Sequence, residues 1–199
     1  MTITEDRPSA SSGAARRAMI DSQLRTSGVN EPWVLAAMAS VPREDFVPAA
    51  MRSAAYIDRA IPLENGRSLA APLVQGKMLA EAAPKPTDRA LLVGDGAGYL
   101  AALLRPLVGT LDTVDPADAL ATGAGDYALI VIDGAVEVLP DALAARLGAD
   151  GRIVTGLVLR GVTRLAVGRK AGTDVSLLPL AELGIPILPE FAAPKRWSF

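Results

Sequence analysis

The run Arg89-Ala90-Leu91-Leu92-Val93 passes directly into Gly94-Asp95-Gly96-Ala97-Gly98 and then into a helical stretch from Tyr99 to Leu104. An unbroken aliphatic run is what a strand buried on both faces requires, and a glycine-rich turn straight into a helix opens a βα unit of a parallel sheet. Further strands are predicted over residues 110–114, 127–132, 151–157, 163–168 and 175–180, with a helix over 139–147. The alternation gives an α/β fold: a Rossmann-like sheet with helices on both faces, its later strands free to run antiparallel.

Upstream the pattern changes. Residues 14–27 read as a helix with Met19, Ile20 and Leu24 on one side and Gly28 closing it. A second helix is expected from Asn30 as N-cap to Val41, where Pro42 ends it, and a third from Pro72 to Ala82. Between them residues 43–69 read as ordered loop. Residues 1–13, with Pro8, three serines and Gly13, are expected to be a disordered tail. The remaining residues, 14–199, suit one domain, with a helical part over 14–83 and the Rossmann-like part over 84–199.

Composition narrows the chemistry. The chain has no His and no Cys, which removes thiolate and imidazole metal sites, disulfides and His-relay catalysis, so no metal is expected. The formal charge of −2 offers no field for a nucleic-acid partner. No apolar run reaches the roughly 20 residues of a membrane span and no signal peptide is visible, so a cytoplasmic protein with no membrane partner is expected. Arg160, Arg164, Arg169 and Lys170 read as a solvated face of a hairpin.

Gly94, Gly96 and Gly98 let a ligand approach the backbone at a helix N-terminus, although any tight strand-to-helix turn can be glycine-rich. Asp115 ends the next strand, where an acid can accept hydrogen bonds from both ribose hydroxyls; followed by Pro116, it can instead be a simple turn cap. Together they favour an adenosine-containing ligand. Asp133 ends the strand after that and either meets a ligand or caps the turn before Gly134.

Four segments in order, Met19-Ile20-Asp21-Ser22-Gln23-Leu24-Arg25, Val41-Pro42-Arg43-Glu44-Asp45-Phe46-Val47-Pro48, Ala55-Tyr56 with Asp58, and Leu91 to Tyr99, resemble the ordered motifs of protein-L-isoaspartate O-methyltransferases. The resemblance runs from Met19 to Gly156. It implies a methyltransferase sheet, S-adenosylmethionine at Gly94, Gly96, Gly98, Tyr99 and Asp115, and methyl transfer to the free carboxylate of isoaspartyl residues in damaged protein; Asp95, inside the loop, and Asp133, where the family does not usually carry an acid, are added as cofactor contacts on their own positions. It carries acceptor contacts to Tyr56, Arg67, Ser68, Ala70, Pro72 and Val74, with Ser68 the candidate catalytic hydroxyl. An ionised carboxylate is already a nucleophile, so such chemistry needs positioning rather than a general base.

Three departures qualify that reading. The family's acid two positions before the first glycine is Leu92 here, and its substrate-facing serine is Ala70. Only ten residues, 116–125, separate Asp115 from Asp126, where the family places a helix, a strand and a further loop, whereas a helix and a strand of average length need about 16. The third strand is therefore expected to be missing. Weak cofactor binding and reduced or lost activity follow, and the exposed strand 110–114, with Asp112 in it, favours a monomer over a homodimer joined at that edge. The competing reading is a catalytically degenerate methyltransferase-fold protein that serves as a binding or assembly module, and cofactor binding separates the two. A nicotinamide oxidoreductase shares the glycine loop, but lacks a visible substrate domain.

Overall fold

A computed structural model describes residues 7–64, 66–121, 125–172 and 174–193. Helix α1 (Arg7–Met19) starts seven residues before the expected 14, because a helix once nucleated propagates cheaply through Ala and Ser. Residues 7–13 of the expected tail are thus helical, while residues 1–6 lie outside the described residues. The helix continues as a π-turn, Ile20–Leu24, and a 3-10 turn ending at Gly28, whose φ of 81° is left-handed. Helix α2 (Pro32–Ser40) is opened by Pro32 with Glu31 as N-cap, which corrects the expectation of Asn30. Residues 43–69 hold two 3-10 turns and a two-residue ladder of β1 (Ile61–Pro62) with β2 (Ser68–Leu69). Helix α3 (Pro72–Ala82) falls where Pro72 predicts it.

The main sheet follows. Strand β3 (Arg89–Val93) runs through the glycine turn into α4 (Tyr99–Leu104), and β4 (Thr110–Val114) pairs parallel to β3. Strand β5 (Tyr127–Val136) lies parallel on the other side of β3, and β6 (Leu147–Leu159) continues the parallel set after the short helix α5 (Asp141–Ala145). Strands β7 (Val162–Ala171) and β8 (Asp174–Glu182) add an antiparallel meander, giving the order β4-β3-β5-β6-β7-β8.

Period-2 alternation divides the core. Ala90, Leu92, Leu129, Val131 and Val154 face one layer with Val74, Met78, Tyr99, Leu100 and Leu103. Leu91, Val93, Ile130, Ile132 and Ile153 face the other, where the cover is thin: Leu143 of α5, Ala119, Leu188 and Phe191. Helices therefore lie on both faces, but unequally.

Among the described residues strand β4 has β3 as its sole neighbour in the sheet, as the expected lack of a third strand requires. After it the chain makes a turn, Asp118 N–H donating to Asp115 O at 2.9 Å and Ala121 N–H to Asp118 O at 3.1 Å, the compact path that ten residues allow. On this outer strand Asp112 accepts hydrogen bonds from Arg89 Nη2 at 2.9 Å and Tyr127 Oη at 2.8 Å, which hold its carboxyl below the ordinary range. A second chain adding to this edge would bring its own Asp112 nearby, so we expect the outward amides of residues 110–114 to exchange with solvent at a rate independent of protein concentration. Protection that grows with concentration would show edge pairing instead.

Candidate active site

In open α/β sheets ligands lie beyond the carboxyl ends of the strands, and a cavity of about 610 Å³ opens there. One wall is the glycine turn, with Gly94, Asp95, Ala97, Gly98 and Tyr99; another is Arg67, Ser68 and Leu69 of the β2 ladder, with Asp45 and Phe46 beside them. Asp133 lines it from within β5, which runs on to Val136 past the strand end expected at 132 and leaves Asp133 one residue beyond the pairing with β3, and residues 186–190 form a roof.

The glycines are dictated by close approach. A Cβ on Gly96 would stand 2.6 Å from Thr113 Oγ1, and one on Gly94 would stand 3.0 Å from the Asp133 Cβ. The turn is fastened by Asp95, whose Oδ1 accepts from Ala97 N–H at 2.9 Å while its carbonyl accepts from Gly98 N–H at 3.0 Å. Asp95 is thus a turn residue that also lines the cavity. Leu92 is buried among Ala90, Leu129 and Val131, so no carboxylate stands at the position that the family motif gives to an acid.

Asp133 supplies a carboxylate close by. Burial pushes it up to about 6, with Arg43 opposing and Asp95 reinforcing the rise. Beneath it lies a residue that sequence reasoning quoted but assigned no role. Arg43 is 0% exposed; its Nε donates to Ala55 O at 2.8 Å, its Nη2 to Ala70 O at 2.5 Å and its Nη1 to Gln75 Oε1. Its guanidinium lies 5.0 Å from the centroid of the Tyr99 ring, and burial lowers its pKa to about 10. Tyr99 is also edge-on to Phe46 at 5.5 Å, and its buried hydroxyl has no hydrogen-bond partner.

Asp115 stands at the end of β4, beside Pro116 of the cavity lining but not itself part of it. Both readings of its role find support: Oδ1 caps the turn by accepting from Ala117 N–H at 2.9 Å, and the carboxylate remains half-exposed. The same Oδ1 is 2.7 Å from Arg67 Nη2, and that nitrogen is 3.1 Å from Glu190 Oε1.

The acceptor-side expectations divide. Arg67 and Ser68 line the cavity. Tyr56 does not: its hydroxyl donates to Glu44, accepts from Arg16 Nε at 2.8 Å, and is pushed up to about 12 by burial and by Glu44. Ala70, Pro72 and Val74 are buried in packing outside the lining, because α3 turns its first two turns into the core and Arg43 holds the Ala70 carbonyl. These four residues therefore stand outside the cavity lining, whereas Arg67 and Ser68 are part of it.

The roof does not hang free of the sheet. It is instead joined to the extension of β5: Ala135 N–H donates to Pro186 O at 2.7 Å, Leu188 N–H to Ala135 O at 2.9 Å, and Glu137 N–H to Phe191 O at 3.1 Å. Gly134 makes this possible, since a Cβ there would stand 2.5 Å from Leu188 Cγ. The expected helix over 139–147 is shortened accordingly, to Asp141–Ala145.

Comparison with known proteins agrees with this architecture. Residues 14–121 match the family model of protein-L-isoaspartate(D-aspartate) O-methyltransferase. A protein-L-isoaspartate O-methyltransferase of Roseiflexus castenholzii is 35% identical over 83% of this chain and 91% of its own length. One from Koribacter versatilis is 34% identical over 78% and 82%. In fold, the chain is similar to a Plasmodium falciparum protein described as such a methyltransferase and solved with S-adenosyl-L-homocysteine, at a TM-score of 0.73 and 16% identity, covering 88% of this chain and 98% of that one. The chain belongs to the protein-L-isoaspartate(D-aspartate) O-methyltransferase family.

Proposed function

We propose that this chain is an S-adenosylmethionine-dependent carboxyl methyltransferase acting on isoaspartyl residues of proteins, with a reduced cofactor site. The observation that carries the reading is the cavity at the carboxyl ends of β3 and β5, walled by the glycine turn and open to Arg67 and Ser68. Its size falls in the range of about 300–1,000 Å³ typical of small-molecule sites.

The residues present fit the cofactor in part. Gly94 and Gly96 leave no room for side chains, so a ligand can lie against the backbone. Asp133 faces the cavity beside that turn and would hold an ammonium group in place of the acid replaced by Leu92. Asp115 keeps an oxygen outside its contact with Arg67 for a ribose hydroxyl. A wall following β4 is absent among the described residues, so adenine is held less completely. When bound, S-adenosylmethionine supplies a methyl group on a positively charged sulfur, which an ionised carboxylate takes directly as the sulfur–methyl bond breaks, with no proton to move. What the chain supplies is position and exclusion of water: the roof closes one side, and Tyr99 and Phe46 the other.

Calorimetric titration with S-adenosylhomocysteine tests the reading. We expect a Kd weaker than about 1 µM, since each lost hydrogen bond to a charged group is worth roughly 1.5–3 kcal/mol. Asp115→Ala is expected to weaken it by a further factor of about ten or more. No binding at millimolar ligand would overturn the function, and an unchanged Kd in the variant would remove Asp115 from the site.

A further inference from the structure

Within this reading, one part of the cavity is unaccounted for: what recognises the acceptor. The position matching the family's substrate-facing serine is Ala70, whose side chain is buried and whose carbonyl is bound by Arg43 Nη2 at 2.5 Å. That position has no hydroxyl and cannot turn toward the cavity. Three residues earlier, Arg67 and, beside it, Ser68 face the cavity directly.

Arg67 already has a carboxylate in its grip there. Glu190 enters the cavity from the roof with Oε1 3.1 Å from Arg67 Nη2, while its Oε2 is buried with no hydrogen-bond partner. A buried acceptor without a donor is unfavourable, so Glu190 is a poorly served occupant that a better-placed carboxylate can replace. Asp115, the other acid on Arg67, is the firmer of the two, being closer at 2.7 Å and fixed also by Ala117 N–H. The roof itself is anchored through backbone bonds of Pro186, Leu188 and Phe191, so the Glu190 side chain can swing away without releasing it.

We propose that Arg67 is the residue by which this chain selects a carboxylate-bearing acceptor, and that Glu190 is an internal carboxylate holding that place until the acceptor displaces it. Arg67 then stands between the two halves of the site, with Asp115 on the cofactor side and the acceptor carboxylate on the other. The planar guanidinium suits a carboxylate better than any neutral group, and Ser68 lies next to it in the wall.

The test uses an isoaspartyl peptide and the same peptide with its free carboxylate converted to the amide, titrated into the full chain with and without S-adenosylhomocysteine. The unaltered chain is expected to prefer the carboxylate peptide by about tenfold or more. Arg67→Gln should make the two peptides bind alike, and Arg67→Lys should restore part of the preference. Glu190→Gln should tighten the carboxylate peptide by about tenfold and leave the amide unchanged. A preference that survives Arg67→Gln, or carboxylate binding unmoved by Glu190→Gln, overturns the proposal, as does absence of peptide binding in both the unaltered chain and Glu190→Gln. S-adenosylhomocysteine binding reports separately on the methyltransferase reading: peptide discrimination without it would leave Arg67 standing while that reading fails.

Discussion

Arg43→Ala is expected to lower the unfolding free energy by about 3–5 kcal/mol, because it strands three buried acceptors at once and leaves a cavity under the site. Ala55 O, Ala70 O and Gln75 Oε1 each lose their donor, and Tyr99 loses the cation above its ring. Arg43→Lys should recover only part, since an ammonium cannot fork to three acceptors in different directions. Equilibrium urea unfolding reads the effect as a shift in midpoint at constant slope. A loss below about 1 kcal/mol would mean that water reaches these acceptors and that Arg43 is not the pillar beneath the cavity.

Asp133→Asn is expected to act in the opposite direction, stabilising the chain near neutral pH. The sign follows from the raised pKa. Between the ordinary value of 3.8 and about 6 the folded chain binds a proton that the unfolded chain has lost, so stability falls as pH rises through that window. Above it the ionised carboxylate costs the folded state up to about 3 kcal/mol, less where cavity water screens it. The variant should therefore be more stable by about 1–3 kcal/mol at pH 7.5 and nearly equal to the unaltered chain at pH 4. Paired urea titrations at the two pH values decide it, and an equal gain at both would show that the effect is packing. The same substitution should weaken S-adenosylhomocysteine binding, a trade of function against stability.

How much of this was legible in the sequence follows from which forces act locally. The β3 strand and the glycine turn were readable because burial on both faces and close backbone approach leave direct marks in residue type. The missing third strand was readable because ten residues cannot hold a crossover helix and a strand. Arg43 was not readable as a core residue, because its burial depends on three acceptors brought together from Ala55, Ala70 and Gln75. Tyr56, Pro72 and Val74 were carried into the site by resemblance, whereas helix α3 and the Arg16–Glu44 pair place them in packing. Glu190 had no local signal. The nearest hint was Gly134 after Asp133, a residue small enough for another segment to lie across it.

The roof over residues 186–190 also sets an order of events during synthesis. The glycine turn, α3 and the Arg67 ladder emerge first, before the β6 and β7 strands that complete the core under α3 have been made. Ala135, whose N–H and carbonyl receive Pro186 and Leu188, waits for the roof until the β6–β8 meander is complete. The nascent protein thus carries its ligand-binding wall before it carries Glu190, the carboxylate on Arg67, and the site closes on itself only after the meander has been made.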